Sequence, residues 1–265
     1  MTIQLAAYWG LGGAALTVAV VLLIGYLLRS SRAFALTGQL LIAASVLFLV
    51  IGLTLRALQG HGWPFVSWTD TAAGIAILML LIYLVWSIAA HTPSTGGIVA
   101  LIALGLILLD VSQQTTAPVT LSIRQLNVVI SNSATIWGGA FLGLSAATGL
   151  SGLARRALKA RFGQGAWISA QLAARWGEIW VRCGLFFLAA SLAVDVWWVQ
   201  QLDLSLTNNA QQAGIAVAWM IYFVALRLKN QPRWQGWPWD TIQVIGFACT
   251  LPILLDVPWL NQSLI

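Results

Sequence analysis

Eight long apolar runs, separated by short polar stretches, organise the whole chain. They cover about residues 5–28, 34–58, 69–90, 97–112, 125–152, 177–199, 210–226 and 240–259. A bilayer crossing needs roughly 20 apolar residues as a helix, and lipid offers no partner for unpaired backbone groups. Each run is therefore predicted to be a membrane-spanning helix. The fourth is short for a span and suits a steep crossing shielded by neighbours. Met1 to Gln4 carry no Lys or Arg, so the first run is expected to be a retained helix rather than a cleaved signal. The expectation is an all-α integral membrane protein with about eight transmembrane helices, residues 1–265 forming a single polytopic domain.

Composition agrees and narrows the classes. The 265 residues are 60% hydrophobic and 8% charged, far below the quarter of charged residues usual in soluble domains. A large soluble catalytic domain is excluded, and two cysteines exclude a disulfide scaffold. The net charge of +6 raises nucleic acid as a partner, but the placement of the charges answers it. Arg29 and Arg32 follow the first run. Arg155, Arg156, Lys159, Arg161, Arg175 and Arg182 surround the fifth connection, and Arg227, Lys229 and Arg233 follow the seventh run. In an eight-helix count these share one side, and only Arg56 and Arg124 fall on the other. The positive-inside rule makes the basic side cytoplasmic and both termini extracytoplasmic. Asp70, Asp110, Asp195, Asp203 and Asp256 lie at the outer ends, against Glu178 and Asp240 inside. Membrane lipids, not nucleic acid, are the expected contact. The basic amphipathic segment 153–176, on the cytoplasmic side, is expected to form an interfacial helix on anionic headgroups, with a docking site for a cytoplasmic partner as the alternative.

Candidate chemistry is sparse. The two histidines, His61 and His91, fall on opposite sides and cannot share one metal or haem. Cys183 and Cys249 sit at lipid depth, where small packing residues are common, and no C-x-x-C, C-x-x-C-H, H-E-x-x-H, G-x-S-x-G or P-loop motif occurs. Glu178 and Arg182 stand one helical turn apart and are expected to pair. Asn127, Ser131, Asn132, Ser133 and Thr135 form a polar stripe suited to interhelical hydrogen bonds or to a cofactor cavity. Of the 15 tryptophans, Trp9, Trp63, Trp68, Trp176, Trp180, Trp197, Trp198, Trp234, Trp237, Trp239 and Trp259 cluster near span ends, as an interfacial aromatic belt would. Trp63, Trp68, Trp197 and Trp198 with Asp195 and His61 form a candidate outer haem or pigment pocket, in which His61 is the candidate axial ligand.

Several segments resemble one family. Gly60-His61-Gly62-Trp63-Pro64 resembles the G-H-x-P loop of CcsA/ResC-type cytochrome c assembly proteins, whose smaller HemX-like and CcmC-like relatives have about this length. Cys183-Gly184-Leu185-Phe186 through Asp195-Val196-Trp197-Trp198 is similar to the family's G-F…G-A-x-W helix. Trp219-Met220-Ile221-Tyr222 is similar to its T-W-L-I-Y helix, and Trp234-Gln235-Gly236-Trp237 to the turn before its last helix. The resemblance covers about 55–265 and implies haem handling at the outer face. The family's W-G-x-x-W-x-W-D loop corresponds to residues 202–210, which hold no tryptophan, with Asn209 near the aspartate position. One family histidine falls near Ser131, and the one near the last helix is missing.

The resemblance therefore implies a cytochrome c assembly-like membrane protein with a degenerate haem site, weak or absent haem and no enzymatic activity. It would reside in a bacterial cytoplasmic or photosynthetic membrane. The alternative is a non-catalytic structural subunit packed against other membrane subunits of a respiratory or photosynthetic complex. A transporter fits less well, because no charge falls at the middle of any run.

Overall fold

Hydrogen-bond economy in lipid leaves the helix as the form of each apolar run, and the computed structural model bears this out. It describes residues 3–58, 68–90, 93–112, 123–162, 167–201 and 210–255. Among these the chain forms eight α-helices: α1 (Ile3–Arg29), α2 (Arg32–Leu58), α3 (Trp68–Ala90), α4 (Gly96–Ser112), α5 (Ile123–Phe162), α6 (Ala170–Gln201), α7 (Ala210–Lys229) and α8 (Trp237–Leu254). Two 3₁₀ turns, Pro93–Thr95 and Pro232–Trp234, lead into α4 and α8. Six helices, α1, α2, α3, α5, α6 and α7, are long and apolar enough to cross a membrane. Large apolar side chains such as Leu40, Val85, Ile88 and Phe186 face outward, as a hydrocarbon surrounding allows.

Short connections set the handover between helices. α1 reaches α2 through Ser30 and Ser31 alone. Ser30 takes a left-handed conformation (φ 54°), and its N–H donates to the Tyr26 carbonyl at 2.8 Å. The start of α8 follows Gly236 at φ 82°, a conformation that suits glycine.

The helices pack as two four-membered rings. In the first, α1 lies against α2 and α4, and α3 closes the ring against both. In the second, α5 lies against α6 and α8, and α7 closes it. α3 and α5 join the rings. Small residues on α5 set that approach: a Cβ on Gly139 would lie 2.7 Å from Ile75, and one on Gly143 would lie 2.7 Å from the Met79 sulfur. In a bilayer such close contact, rather than expulsion of water, supplies helix association.

The segment 153–176 departs from expectation. It is not a separate interfacial helix: α5 continues to Phe162, and α6 has begun by Ala170. Residues 153–162 are mostly Leu, Ala, Arg and Lys, all good helix formers, so nothing stops α5 where its lipid-compatible stretch ends. Arg155 donates from Nη1 to the Ile168 carbonyl at 3.1 Å and ties the two helices at this end. At 40 residues α5 is about 60 Å long, twice the hydrocarbon thickness.

Candidate functional site

Some residues of the outer candidate pocket lie among the described residues and some do not. His61 and Trp63 lie outside the described residues, as does His91. Trp68 opens α3 and Trp198 falls in the last turn of α6, with side chains outside the description. Asp195 and Trp197 both stand near the end of α6, two residues and so about 200° apart. Asp195 turns into the bundle, half-buried, with hydrogen bonds from Ser131 of α5 and Gln212 of α7. The Trp197 indole faces outward and is 57% exposed. Carboxylate and indole therefore look to different sides of α6.

Beneath Asp195 two members of the α5 polar stripe, Ser131 and Thr135, bond across to α6, while the Asn127 side chain lies outside the described residues. The Ser131 and Thr135 hydroxyls lie 3.0 and 2.9 Å from the Ser191 hydroxyl of α6. Ser191 also bonds the Ser131 carbonyl at 3.2 Å, and Thr135 bonds the same carbonyl at 3.1 Å. All three side chains are buried. Hydroxyls in an apolar core need such partners, and here they clamp α5 to α6. Ser133 points elsewhere, into a shallow groove of about 200 Å³ with Leu53, Ile77, Leu81 and Trp137. That is smaller than the usual small-molecule pocket of about 300–1,000 Å³.

A second polar cluster, which sequence reasoning missed, lies at the opposite end of the second ring. Arg156 of α5 meets Asp240 in the first turn of α8, Nη1 to Oδ2, at 2.8 Å. Asp240 is buried while Arg156 stays 42% exposed in its side chain. One turn along α8, the buried Gln243 accepts from the Thr148 hydroxyl at 3.3 Å. Tyr222 of α7 reaches the Gln243 carbonyl at 3.5 Å. Glycines make the room. A Cβ on Gly149 would come within 2.6 Å of the Asp240 carbonyl oxygen, one on Gly152 would collide with the Asp240 carboxylate, and one on Gly177 would reach 2.5 Å from Gln243. The available signal was that Glu178 and Asp240 are the two acids on the basic side.

Glu178 joins the same region. It pairs with Arg182 on its own helix, as expected, and with Lys229 of α7. Lys229 also donates to the Ala174 carbonyl at 3.2 Å and lies 5.1 Å from the Trp239 ring centre. The pair across helices is the stronger of the two, because Lys229 is largely buried and Arg182 exposed. Glu178→Gln is expected to destabilise by about 1 kcal/mol, and Arg182→Gln by less than about 0.5 kcal/mol. Melting of the detergent-solubilised protein, followed by tryptophan fluorescence, checks the order; equal losses would reject it.

The aromatic belt needs correction at three positions. Trp9, Trp180 and Trp239 are buried between helices instead of facing an interface. Trp180 stacks on Trp176 at 5.2 Å and on Phe141 at 5.7 Å, and meets Trp86 edge-on at 5.7 Å. These offset and T-shaped contacts are the preferred aromatic geometries and fill the seam between the rings. Trp237, exposed at the head of α8, keeps the belt position.

Among the described residues no three of His, Cys, Asp and Glu come together as a metal site would require. Arg56 and Asp70 pair at 2.9 Å, so one of the two basic residues that break the charge pattern has a local counter-ion. No protein-family model matches the chain, and no curated protein matches it either.

Proposed function

We propose that the chain is a cytochrome c assembly-like membrane protein with a reduced haem site and no bond-making activity of its own. It crosses the membrane eight times with both termini outside. α4 and α8, at 17 and 18 residues, are about 26 Å long, close to the hydrocarbon thickness, and each completes a ring of four helices. The observation that carries the functional reading is the half-buried Asp195 carboxylate, bonded by Ser131 and Gln212. It lies at the end of α6 from which the 202–209 connection leaves, the segment that corresponds to the haem-handling loop of the resembled family.

The residues present do not fit a haem held by two imidazoles. Ser131, near the position of one family histidine, offers a hydroxyl already engaged with Ser191 and Asp195. The only histidine available to the outer side is His61. The protein is therefore expected to purify without stoichiometric haem, and added haem to give a weak Soret shift that His61→Ala abolishes. A stoichiometric two-imidazole spectrum would overturn the reduced site, and a shift indifferent to His61→Ala would remove the histidine from it.

The second reading, a non-catalytic subunit of a respiratory or photosynthetic membrane complex, is favoured by the absence of tryptophan from 202–209. It requires stoichiometric co-purification with larger membrane subunits.

A further inference from the structure

The groove between α7 and α8 has the elongated form and apolar lining of a lipid site. It holds about 330 Å³ and is lined by apolar groups, among them Val217, Ile221, Ile242, Ile245 and Ile253, together with the exposed Cys249. From Thr241 to Ile253 it follows α8 for about 18 Å, a little more than half the hydrocarbon thickness. It begins one turn inside Trp237 and ends at the last residues of α8, so it runs past the mid-depth of the helix. A slot of this volume takes a chain-shaped occupant, whereas a helix about 10 Å wide cannot enter it.

Beyond the Thr241 end the chain turns from α7 into α8, and this turn carries Arg233. Arg233 is exposed and has no carboxylate partner among the described residues, unlike Lys229, which is engaged by Glu178. Trp237, one turn before Thr241, is 65% exposed, as an interfacial indole would be. An apolar slot therefore runs toward an interfacial ring and, in the turn beyond it, an arginine with no carboxylate partner among the described residues.

We propose that this groove binds an anionic phospholipid, one acyl chain lying between α7 and α8 and the phosphate facing Arg233. The proposal is independent of haem and rests only on the membrane placement of these two helices. A juxtamembrane arginine strengthens binding to anionic lipid about fivefold.

The test places the full-length protein in bilayer discs of equimolar phosphatidylglycerol and phosphatidylcholine with identical chains. After re-extraction into mild detergent, retained lipid is counted by mass spectrometry. Wild type is expected to retain phosphatidylglycerol in preference. Arg233→Gln is expected to lower that preference about fivefold. Val217→Trp with Ile245→Trp, both at exposed positions, is expected to lower retention of both lipids. Blocking Cys249 with a bulky maleimide in Cys183→Ala, which leaves no second thiol to react, is expected to give the same loss. Equal retention of the two lipids, retention unaffected by all three changes, or a partner helix crosslinked through Cys249 in native membranes would overturn the proposal.

Discussion

Arg156→Met is expected to destabilise the protein by about 3 kcal/mol, lowering the apparent melting temperature by about 6–12 °C. The cause is what remains behind. Asp240 is buried against α5, with Arg156 as its 2.8 Å ion-pair partner. Removing one member of a buried pair usually costs about 3–5 kcal/mol, because the other charge is left without compensation. The lower end applies here, since Arg156 is itself 42% exposed and its loss admits some water to the carboxylate. Asp240→Asn should cost only about 1 kcal/mol, as the arginine it strands can turn to solvent. The double variant should recover most of the loss, because it leaves no buried charge. A double-mutant cycle on melting in detergent measures that recovery. An Arg156→Met protein within about 0.5 kcal/mol of wild type would show that the pair contributes nothing to the α5–α8 contact.

This pair marks the boundary of what the sequence discloses. Helices could be placed closely because lipid permits little else: the run 34–58 becomes Arg32–Leu58, and 69–90 becomes Trp68–Ala90. The ends of α5 and α6 were misplaced for a physical reason. Hydropathy marks where a helix leaves lipid, whereas helix propensity decides where it stops, and residues 153–162 keep α5 helical.

Local pairings were equally legible. Glu178 and Arg182 lie four residues apart on one helix, and the serine and threonine stripe of α5 has one-turn spacing. Arg156 and Asp240 are far apart in sequence and meet only because α8 lies along α5. No periodicity encodes that. The place of Asp195 near the end of α6 was legible, but its partners were not. Ser131 and Gln212 reach it from two other helices, and Trp197 turns away because two residues along a helix reverse its face.

Glycine substitution should give opposite signs at two positions that look alike in sequence. Gly149 and Gly105 are both helical glycines in apolar runs. A Cβ on Gly149 would lie 2.6 Å from the Asp240 backbone oxygen and 3.0 Å from the Gln243 side-chain oxygen. A backbone atom cannot swing aside, so α8 must move away from α5 and disturb Asp240 and Gln243 together. Overpacking of this kind costs about 1–3 kcal/mol, and the upper end is expected because a polar network moves with the backbone. A Cβ on Gly105 meets nothing within 4 Å. There alanine only removes backbone freedom from the unfolded chain, and a gain of up to about 1 kcal/mol is expected. Melting of Gly149→Ala and Gly105→Ala side by side should therefore bracket the wild type. Two equal shifts would mean that helix propensity governs both sites and that the glycine cradle around Asp240 has no special role. If Gly149→Ala loses about 3 kcal/mol in the wild type but markedly less in Asp240→Asn, the close approach and the buried carboxylate belong to one packing unit, the contact on which α8 is held against α5.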